Sequence, residues 1–140
     1  MASKNAAAML SGKDGDYDNN PAASEFFSTL LAASTYAQVL HRQTVGEGSD
    51  ARHRALGALY DGPISLSDSV VEQYQGCYGL VRYTLVKPSE PADALAFVSE
   101  LYDYIEATRY KVCDETHIQN SIDEICSLLS TSKFKLRFLR

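Results

Sequence analysis

Hydrophobic residues recur along most of the chain at steps of three and four, which is the spacing of one face of an α-helix. The runs are separated by glycine, proline or clusters of polar residues, which commonly mark the ends of helices. The pattern therefore predicts an all-α protein with four amphipathic helices, at about residues 24–44, 49–76, 92–113 and 116–132.

Two stretches interrupt this pattern. Gly62-Pro63 lies inside the second run, and because an interior proline removes a helical hydrogen bond, we expect a bend there or two collinear segments. Residues 76–88 are rich in tyrosine, leucine and valine, and suit a strand, a buried crossover or a short helix. The connection between the first and second helices and the connection between the third and fourth are both short. They predict two antiparallel helical hairpins joined by one long crossover.

The two ends of the chain differ from its helical centre. Residues 1–22 are rich in Ala, Gly, Asn and Asp and predict a flexible N-terminal arm, and Ser24 is the expected N-cap of the first helix. Residues 23–132 contain the predicted bundle. Residues 133–140 alternate basic and apolar side chains, which favours docking on a neighbouring subunit, with DNA or an acidic lipid surface as alternatives.

Composition narrows the setting of this bundle. A chain of 140 residues with 45% hydrophobic residues is long enough for one domain with a sound core. The formal net charge of -5 argues against nucleic-acid binding without excluding it. No secretory leader or membrane-spanning run is visible, so we expect no membrane partner and a cytoplasmic location, or one inside a viral particle assembled there.

The strongest candidate site consists of His41, His53, Asp68 and Glu72. Asp68 and Glu72 are four residues apart, so both carboxylates lie on one face of the second predicted helix. Carboxylates and imidazoles together form a mixed oxygen and nitrogen site that suits iron, manganese or zinc. Each residue alone is more often a solvated surface group, so the prediction depends on the set.

Helix geometry separates the four residues into two levels. His41 ends the first predicted helix and His53 begins the second, so both are expected at one end of the bundle. Asp68 is about 22 Å further along a straight helix from His53, too far to share a metal ion within one chain. A two-fold axis between copies would build two sites, each with histidines from one copy and carboxylates from the other.

The spacing His-x11-His-x14-Asp-x3-Glu, from His41 to Glu72, resembles the ferroxidase signature of Dps proteins, the mini-ferritins of starved bacteria. The resemblance implies a ferritin-like antiparallel four-helix bundle that assembles through a two-fold dimer into a hollow shell. It implies His41 and His53 as imidazole ligands of a di-iron site, with Asp68 and Glu72 supplied by the partner subunit. Oxygen or peroxide would then oxidise the bound ferrous iron.

The sequence departs from the Dps pattern at three places. Gly57 stands where Dps proteins commonly have an acidic residue, Arg42 stands where a tryptophan usually follows the first histidine, and Gly62-Pro63 interrupts a normally continuous helix. The segment from His53 to Asp61 also resembles small ferritin-like proteins encoded by bacteriophages and large viruses. Metal binding is therefore predicted, and ferroxidase activity is left open.

Two functions follow from these observations. The first is a homo-oligomer that binds iron, with manganese or zinc as alternative ions, and sequesters or oxidises it. The second is a non-catalytic structural or assembly protein, for example a virion component, that keeps the ferritin-like bundle.

Overall fold

The computed structural model describes residues 14–87 and 93–139, and most of them are helical. The α-helices are α1 (Pro21–Gln43), α2 (Ser49–Tyr78), α3 (Ala94–Val112) and α4 (Thr116–Phe138), and a 3-10 turn covers Asp14–Asp16. Among these residues the only β pairing is an isolated parallel bridge between Tyr17 and Leu80. The prediction of an all-α protein built from four helices is confirmed.

The helices pack as a four-cornered bundle of two hairpins. Helix α1 packs on α2 and α3, and α4 packs on α2 and α3, so each helix has two neighbours. The Asn20 side chain, just before α1, donates a hydrogen bond of 3.0 Å to the carbonyl of Val112 at the end of α3. The start of α1 therefore meets the end of α3, and the chain after α2 must traverse the bundle to begin α3.

The core lies where the apolar faces of all four helices meet. Tyr74 and Phe26 are its largest fully buried side chains, and Phe27 packs on Tyr74 with ring centroids 5.3 Å apart. Fully burying a large apolar side chain contributes about 1.5–3 kcal/mol. The aliphatic part of the core includes Leu56, Leu59, Val70, Val98, Ile105, Ile118, Ile122, Ile125 and Leu129.

Helix α1 begins earlier than the sequence suggested. Asn20 is its N-cap, and the Asn20 side-chain oxygen accepts a 3.0 Å hydrogen bond from the backbone N–H of Ala22. Pro21 occupies the first helical position, where its missing N–H leaves no partner unsatisfied. The prediction of Ser24 as N-cap is wrong, because the Ser24 hydroxyl donates instead to the carbonyl of Arg82 in the crossover.

The residues just before α1 are held against the end of α2. The backbone of Leu80 pairs with Asp16 and Asp18 through hydrogen bonds of 2.7 and 2.9 Å, and the Tyr74 hydroxyl donates to Asp18 at 2.6 Å. Gly79 makes this approach possible, because its φ is 103° and a Cβ there would lie 2.7 Å from the Asp16 carbonyl oxygen. Residues 1–13 of the predicted arm lie outside the described residues.

Helix α2 runs through Gly62-Pro63 as one helix, so the expected division into two segments is wrong. Leu59 and Val70, which flank this position, are both buried in the same core. At Gly62 a Cβ would lie 2.9 Å from a methyl carbon of Leu128, so the missing side chain allows α4 to pack closely. Core packing on both sides of the proline outweighs its intrinsic cost of about 3 kcal/mol.

The segment after α2 is a surface crossover with no helix or strand of its own in residues 79–87. It runs alongside α1, where the Ser28 hydroxyl oxygen accepts a 3.0 Å hydrogen bond from the Thr84 N–H. Tyr83 and Leu85 are exposed, with Leu85 fully so. The predicted start of the third helix at residue 92 lies outside the described residues, and α3 is capped by Asp93, which accepts from the Ala96 N–H at 2.7 Å.

The other helix ends also refine the sequence predictions. Glu115 occupies the N-cap position of α4, directly before the predicted start of that helix at residue 116. Helix α4 continues to Phe138, so residues 133–138 of the basic and apolar C-terminal stretch form its last turns. Among the described residues, no helix is long and apolar enough to cross a membrane.

Candidate functional site

His41 and His53 lie against each other where α1 ends and α2 begins. Their rings stack with centroids 3.7 Å apart and an interplanar angle of 29°. The turn between the helices is short because Gly46 and Gly48 adopt positive φ values of 95° and 71°, which other residues rarely adopt. The hairpin therefore brings together two imidazoles that are twelve positions apart in the sequence.

Each histidine of this pair is held by the backbone of the other. Nδ1 of His41 lies 2.8 Å from the carbonyl oxygen of His53, and Nδ1 of His53 lies 3.1 Å from the carbonyl oxygen of His41. A carbonyl can only accept, so both Nδ1 atoms donate. In a neutral imidazole, Nε2 then carries the lone pair, which is the arrangement found in histidines that bind metals.

Gly57 and Tyr60 complete the surroundings of the His41 ring. A Cβ at Gly57 would lie 3.1 Å from Cε1 and 3.2 Å from Nδ1 of His41, so any larger residue would press on the ring. The edge-to-face contact with Tyr60 has a centroid distance of 5.0 Å. Gly57 is the position where the Dps resemblance implies an acidic residue, and here it provides room for the imidazole instead.

Basic residues surround this end of the hairpin. Arg42, Arg52 and Arg54 are all exposed, and Arg54 forms an ion pair with Asp50 at 3.1 Å. Both side chains of that pair are 78% exposed, so its contribution to stability is small. Glu47 and Asp50 lie in the same turn, so the three arginines leave this end of the hairpin with a small positive charge. Anionic ligands would offset that charge for a cation bound by the two imidazoles.

The predicted carboxylate ligands lie elsewhere on α2. Asp68 and Glu72 are both exposed. Asp68 lies near the crossover: partial burial of the Tyr83 phenol is the main cause of its raised pKa, and the negative charge of Asp68 raises that pKa further. No group of three or more His, Cys, Asp or Glu side chains within residues 14–87 and 93–139 could hold a metal ion. One chain therefore brings the histidines together and leaves the carboxylates apart from them.

Sequence reasoning missed a second polar cluster, which joins α3 to α4. Arg109 is only 4% exposed and donates to Asp123 at 2.6 Å, to Glu106 at 2.9 Å and to both oxygens of Gln119. The signal in the sequence is an arginine on the apolar stripe between Ile105 and Val112. Because every nitrogen of the guanidinium has a hydrogen-bond partner, we interpret this cluster as one that stabilises the packing of α3 on α4.

A third group of polar residues lies where α2 ends and α4 begins. Sγ of Cys77 lies 3.9 Å from Nε2 of His117, and both residues are exposed. The Tyr78 hydroxyl donates to Glu115, which raises the pKa of Tyr78 to about 12 and lowers that of Glu115. These residues connect the end of α2 to the start of α4 at the surface of the bundle.

A cavity of about 170 Å³ lies between the crossover and the groove of α1 and α3. Its walls are mainly apolar and include Phe97 and Leu101, and the Tyr104 ring lies at its edge. Burial raises the pKa of Tyr104, which keeps the phenol protonated. Lys87 and Glu100 are charged residues of the described lining. The histidine pair is the better candidate site, because hydrogen bonds fix the orientation of both of its rings.

Comparison with known proteins finds a matching family model. A family model described as a family of unknown function, DUF5856, matches residues 48–136. The matched region covers α2, the crossover, α3 and nearly all of α4, and it includes His53, Asp68 and Glu72. No curated protein and no solved structure matches the chain. Because the matched residues make up more than half of its length, the chain belongs to the DUF5856 family.

Proposed function

We propose that this protein is a ferritin-like, metal-binding oligomer that takes up ferrous iron at a site shared between two copies. The observation that carries the proposal is the reciprocal contact of His41 and His53, which fixes both Nδ1 atoms on carbonyls. Histidine ligands of metals usually have such a partner on the second ring nitrogen, because it sets the tautomer and the ring orientation.

The exposed carboxylates support a site completed by a second copy. Asp68 and Glu72 lie one turn apart on the solvent side of α2, so a neighbouring molecule can reach both. An isologous contact that packs the hairpin of one copy on α2 of the other would bring histidines and carboxylates together twice. The carboxylates would also add negative charge at the hairpin end, where three arginines outnumber Glu47 and Asp50.

The two-hairpin connectivity agrees with this proposal, since ferritin-like bundles use a single long crossover between their second and third helices. In the shared site His41 and His53 would supply neutral nitrogen donors, and Asp68 and Glu72 would supply carboxylate oxygens. Iron is the expected ion because mixed carboxylate and imidazole sites suit it, and manganese and zinc are the alternatives. Bound ferrous iron would supply the electrons for reduction of oxygen or peroxide.

The test is a complementation experiment on iron binding. Under anaerobic conditions, calorimetry with Fe²⁺ should show binding to the wild type and none to His53→Ala or Glu72→Ala. When these two variants are unfolded, mixed in equal amounts and refolded, about one quarter of the wild-type sites should return. Half of randomly re-formed dimers are mixed, and each mixed dimer has one intact site out of two.

A matched control is His117→Ala, which removes an exposed histidine outside the site and should leave Fe²⁺ binding unchanged. Imidazole ligands must be deprotonated, so the affinity should fall as the solution is acidified towards pH 5. Ferric absorbance after addition of air then reports whether bound iron is oxidised. A wild-type protein that is monomeric, or variants that bind iron as well as the wild type, would contradict the shared site.

A second candidate function is a non-catalytic assembly role. It is favoured by large apolar side chains on the surface, since Val45, Leu85 and Phe138 are 79%, 105% and 62% exposed. Phe138 forms a group with the exposed Phe134, since their rings lie 5.6 Å apart, and grouped exposed apolar side chains usually mark protein contacts. An oligomer of defined size that binds no Fe²⁺, Mn²⁺ or Zn²⁺ would favour this role over the first.

A further inference from the structure

The outward face of α4 carries a continuous stripe of exposed side chains. One flank of α4 faces α2, where the Ser121 hydroxyl donates to the Gln73 side chain at 3.0 Å. The opposite flank faces α3, where Asp123 binds Arg109. Between the flanks lie exposed side chains at helical spacing: Asn120, Glu124, Ser127, Thr131, Phe134 and Phe138.

The C-terminal half of this stripe is apolar. Phe134 and Phe138 are 54% and 62% exposed, and their rings lie 5.6 Å apart. The turns before them carry small side chains, and the Thr131 hydroxyl is bonded to the Ser127 carbonyl of its own helix at 3.0 Å. A phenylalanine from another helix could therefore approach these turns closely without leaving the Thr131 hydroxyl group unpaired.

The charges along α4 have a self-complementary arrangement. Asp123 and Arg137 lie on the α3 side of the midline of the stripe, and Glu124 and Lys135 lie on its α2 side, as the spacing of 100° per residue requires. Both pairs have their midpoint at residues 129–130. The acidic end of each flank would therefore meet the basic end of the same flank if two α4 helices packed antiparallel around that midpoint.

We propose that α4 is a docking surface for α4 of a second copy, related by a two-fold axis near residue 130. Such an axis brings like flanks of antiparallel helices together, so Glu124 faces Lys135 of the other copy and Asp123 faces Arg137. Phe134 of each copy then covers the turn around Ser127 of the other. The two phenylalanines supply most of the apolar contact, and the four ion pairs set the direction and register.

The contact is small, because a single pair of helices buries an area near the lower limit of about 1,000 Å² for stable interfaces. We therefore expect a dimer that dissociates on dilution in the micromolar range. This surface is separate from the proposed iron site, which uses α1 and α2. If both contacts form, the two different two-fold axes join dimers into a larger assembly, and loss of one contact leaves the other intact.

Charge reversal tests the proposed register, with the mass followed by sedimentation over a dilution series. Glu124→Lys places like charges opposite Lys135, and Lys135→Glu places like charges opposite Glu124, so each variant should weaken self-association at least tenfold. An equal mixture of the two variants should recover the wild-type association. In the mixed dimer, both residue pairs between position 124 of one copy and position 135 of the other again carry opposite charges.

Lys111→Glu is the matched control, because it reverses an exposed charge on α3 outside the stripe and should leave the mass unchanged. Phe134→Ser should weaken association as strongly as the reversals, and circular dichroism should show full helical content for every variant. Iron stoichiometry per chain should stay at the wild-type value, since a failure of the α1 and α2 contact would remove the iron sites instead.

Three results would overturn the proposal. The first is an unchanged mass in both single reversals, and the second is a mixture that associates no better than its components. The third is binding of the protein to phosphatidylserine vesicles that is lost in Phe134→Ser, while the mass measured by sedimentation is the same for this variant and the wild type. That last result would assign the stripe to an anionic lipid surface.

Discussion

The histidine pair and the Arg109 cluster both join two helices through polar groups, but they differ in what remains available. At Arg109 the guanidinium is 4% exposed and makes bonds to Glu106, Gln119 and Asp123, so its donors are occupied within the chain. At the hairpin end, His41 and His53 each use one ring nitrogen and keep the other for a further partner.

This difference separates a structural cluster from a binding site. A buried charge is retained only when its own chain satisfies it, so a fully bonded Arg109 is explained by the fold alone. A pair of imidazoles at the surface needs no such arrangement for stability, and the fixed tautomers leave two coordinating nitrogens on adjacent rings. The comparison therefore explains the α3–α4 cluster by its contribution to stability, and it leaves the α1–α2 turn as the candidate for the proposed ligand binding.

The largest effect is expected from Arg109→Met. The variant leaves the buried Gln119 oxygens without their donor and removes the positive charge between Glu106 and Asp123. The free energy of unfolding, measured in urea, should fall by about 3 kcal/mol. Arg54→Met removes a fully exposed ion pair and should change stability by less than about 0.5 kcal/mol. Equal losses in the two variants would refute the contrast between buried and exposed arginines.

A smaller loss of stability is expected at high pH, where the buried thiols of Cys113 and Cys126 ionise. Burial, together with a hydrogen bond to Glu106 for Cys126, raises the pKa values of Cys113 and Cys126 to about 11 from about 9. A thiol with a raised pKa stabilises the fold while protonated. This stabilisation is present below pH 9 and is lost as the pH rises from 9 to 11.

The thiol contribution can be separated by comparing the wild type with a Cys113→Ala, Cys126→Ala double variant. Unfolding in urea at pH 8 and pH 10.5 should show a larger loss of stability for the wild type than for the variant. Cys77, which is exposed, should react rapidly with a thiol reagent in the folded protein, whereas the two buried thiols should react only on unfolding. Rapid reaction of all three would contradict the burial.

The smallest effect on stability is expected at the histidine end. Replacing glycine by alanine inside a helix normally gains about 1 kcal/mol, and Gly76→Ala should do so because nothing lies within 4 Å of its added Cβ. Gly57→Ala should gain less, because the methyl group presses on the His41 ring. Fe²⁺ affinity should fall about tenfold in Gly57→Ala, a typical cost for disturbing the support of a metal ligand, and stay unchanged in Gly76→Ala. The same affinity in both variants would exclude a role for the His41 ring position.

The sequence predicted the helices well because their main determinant is local. Apolar residues at helical spacing bury one face of each helix, and this pattern survives in α1 to α4 with ends shifted by a few residues. Pro63 shows the limit of local reasoning, since packing on both sides keeps α2 continuous across it. Asn20 shows another, because a capping residue is selected by the path of the chain and not by composition alone.

The histidine and carboxylate set was predicted from its spacing in the sequence, and its division into two levels followed from helix rise alone. Only the tertiary structure decided that the histidines bond each other's carbonyls, that Gly57 makes room for the His41 ring, and that Arg109 is buried with its partners. Contacts between helices depend on packing angle and register, which arise from the whole core. A sequence pattern specifies which face a residue occupies, and the packed bundle specifies what that residue touches.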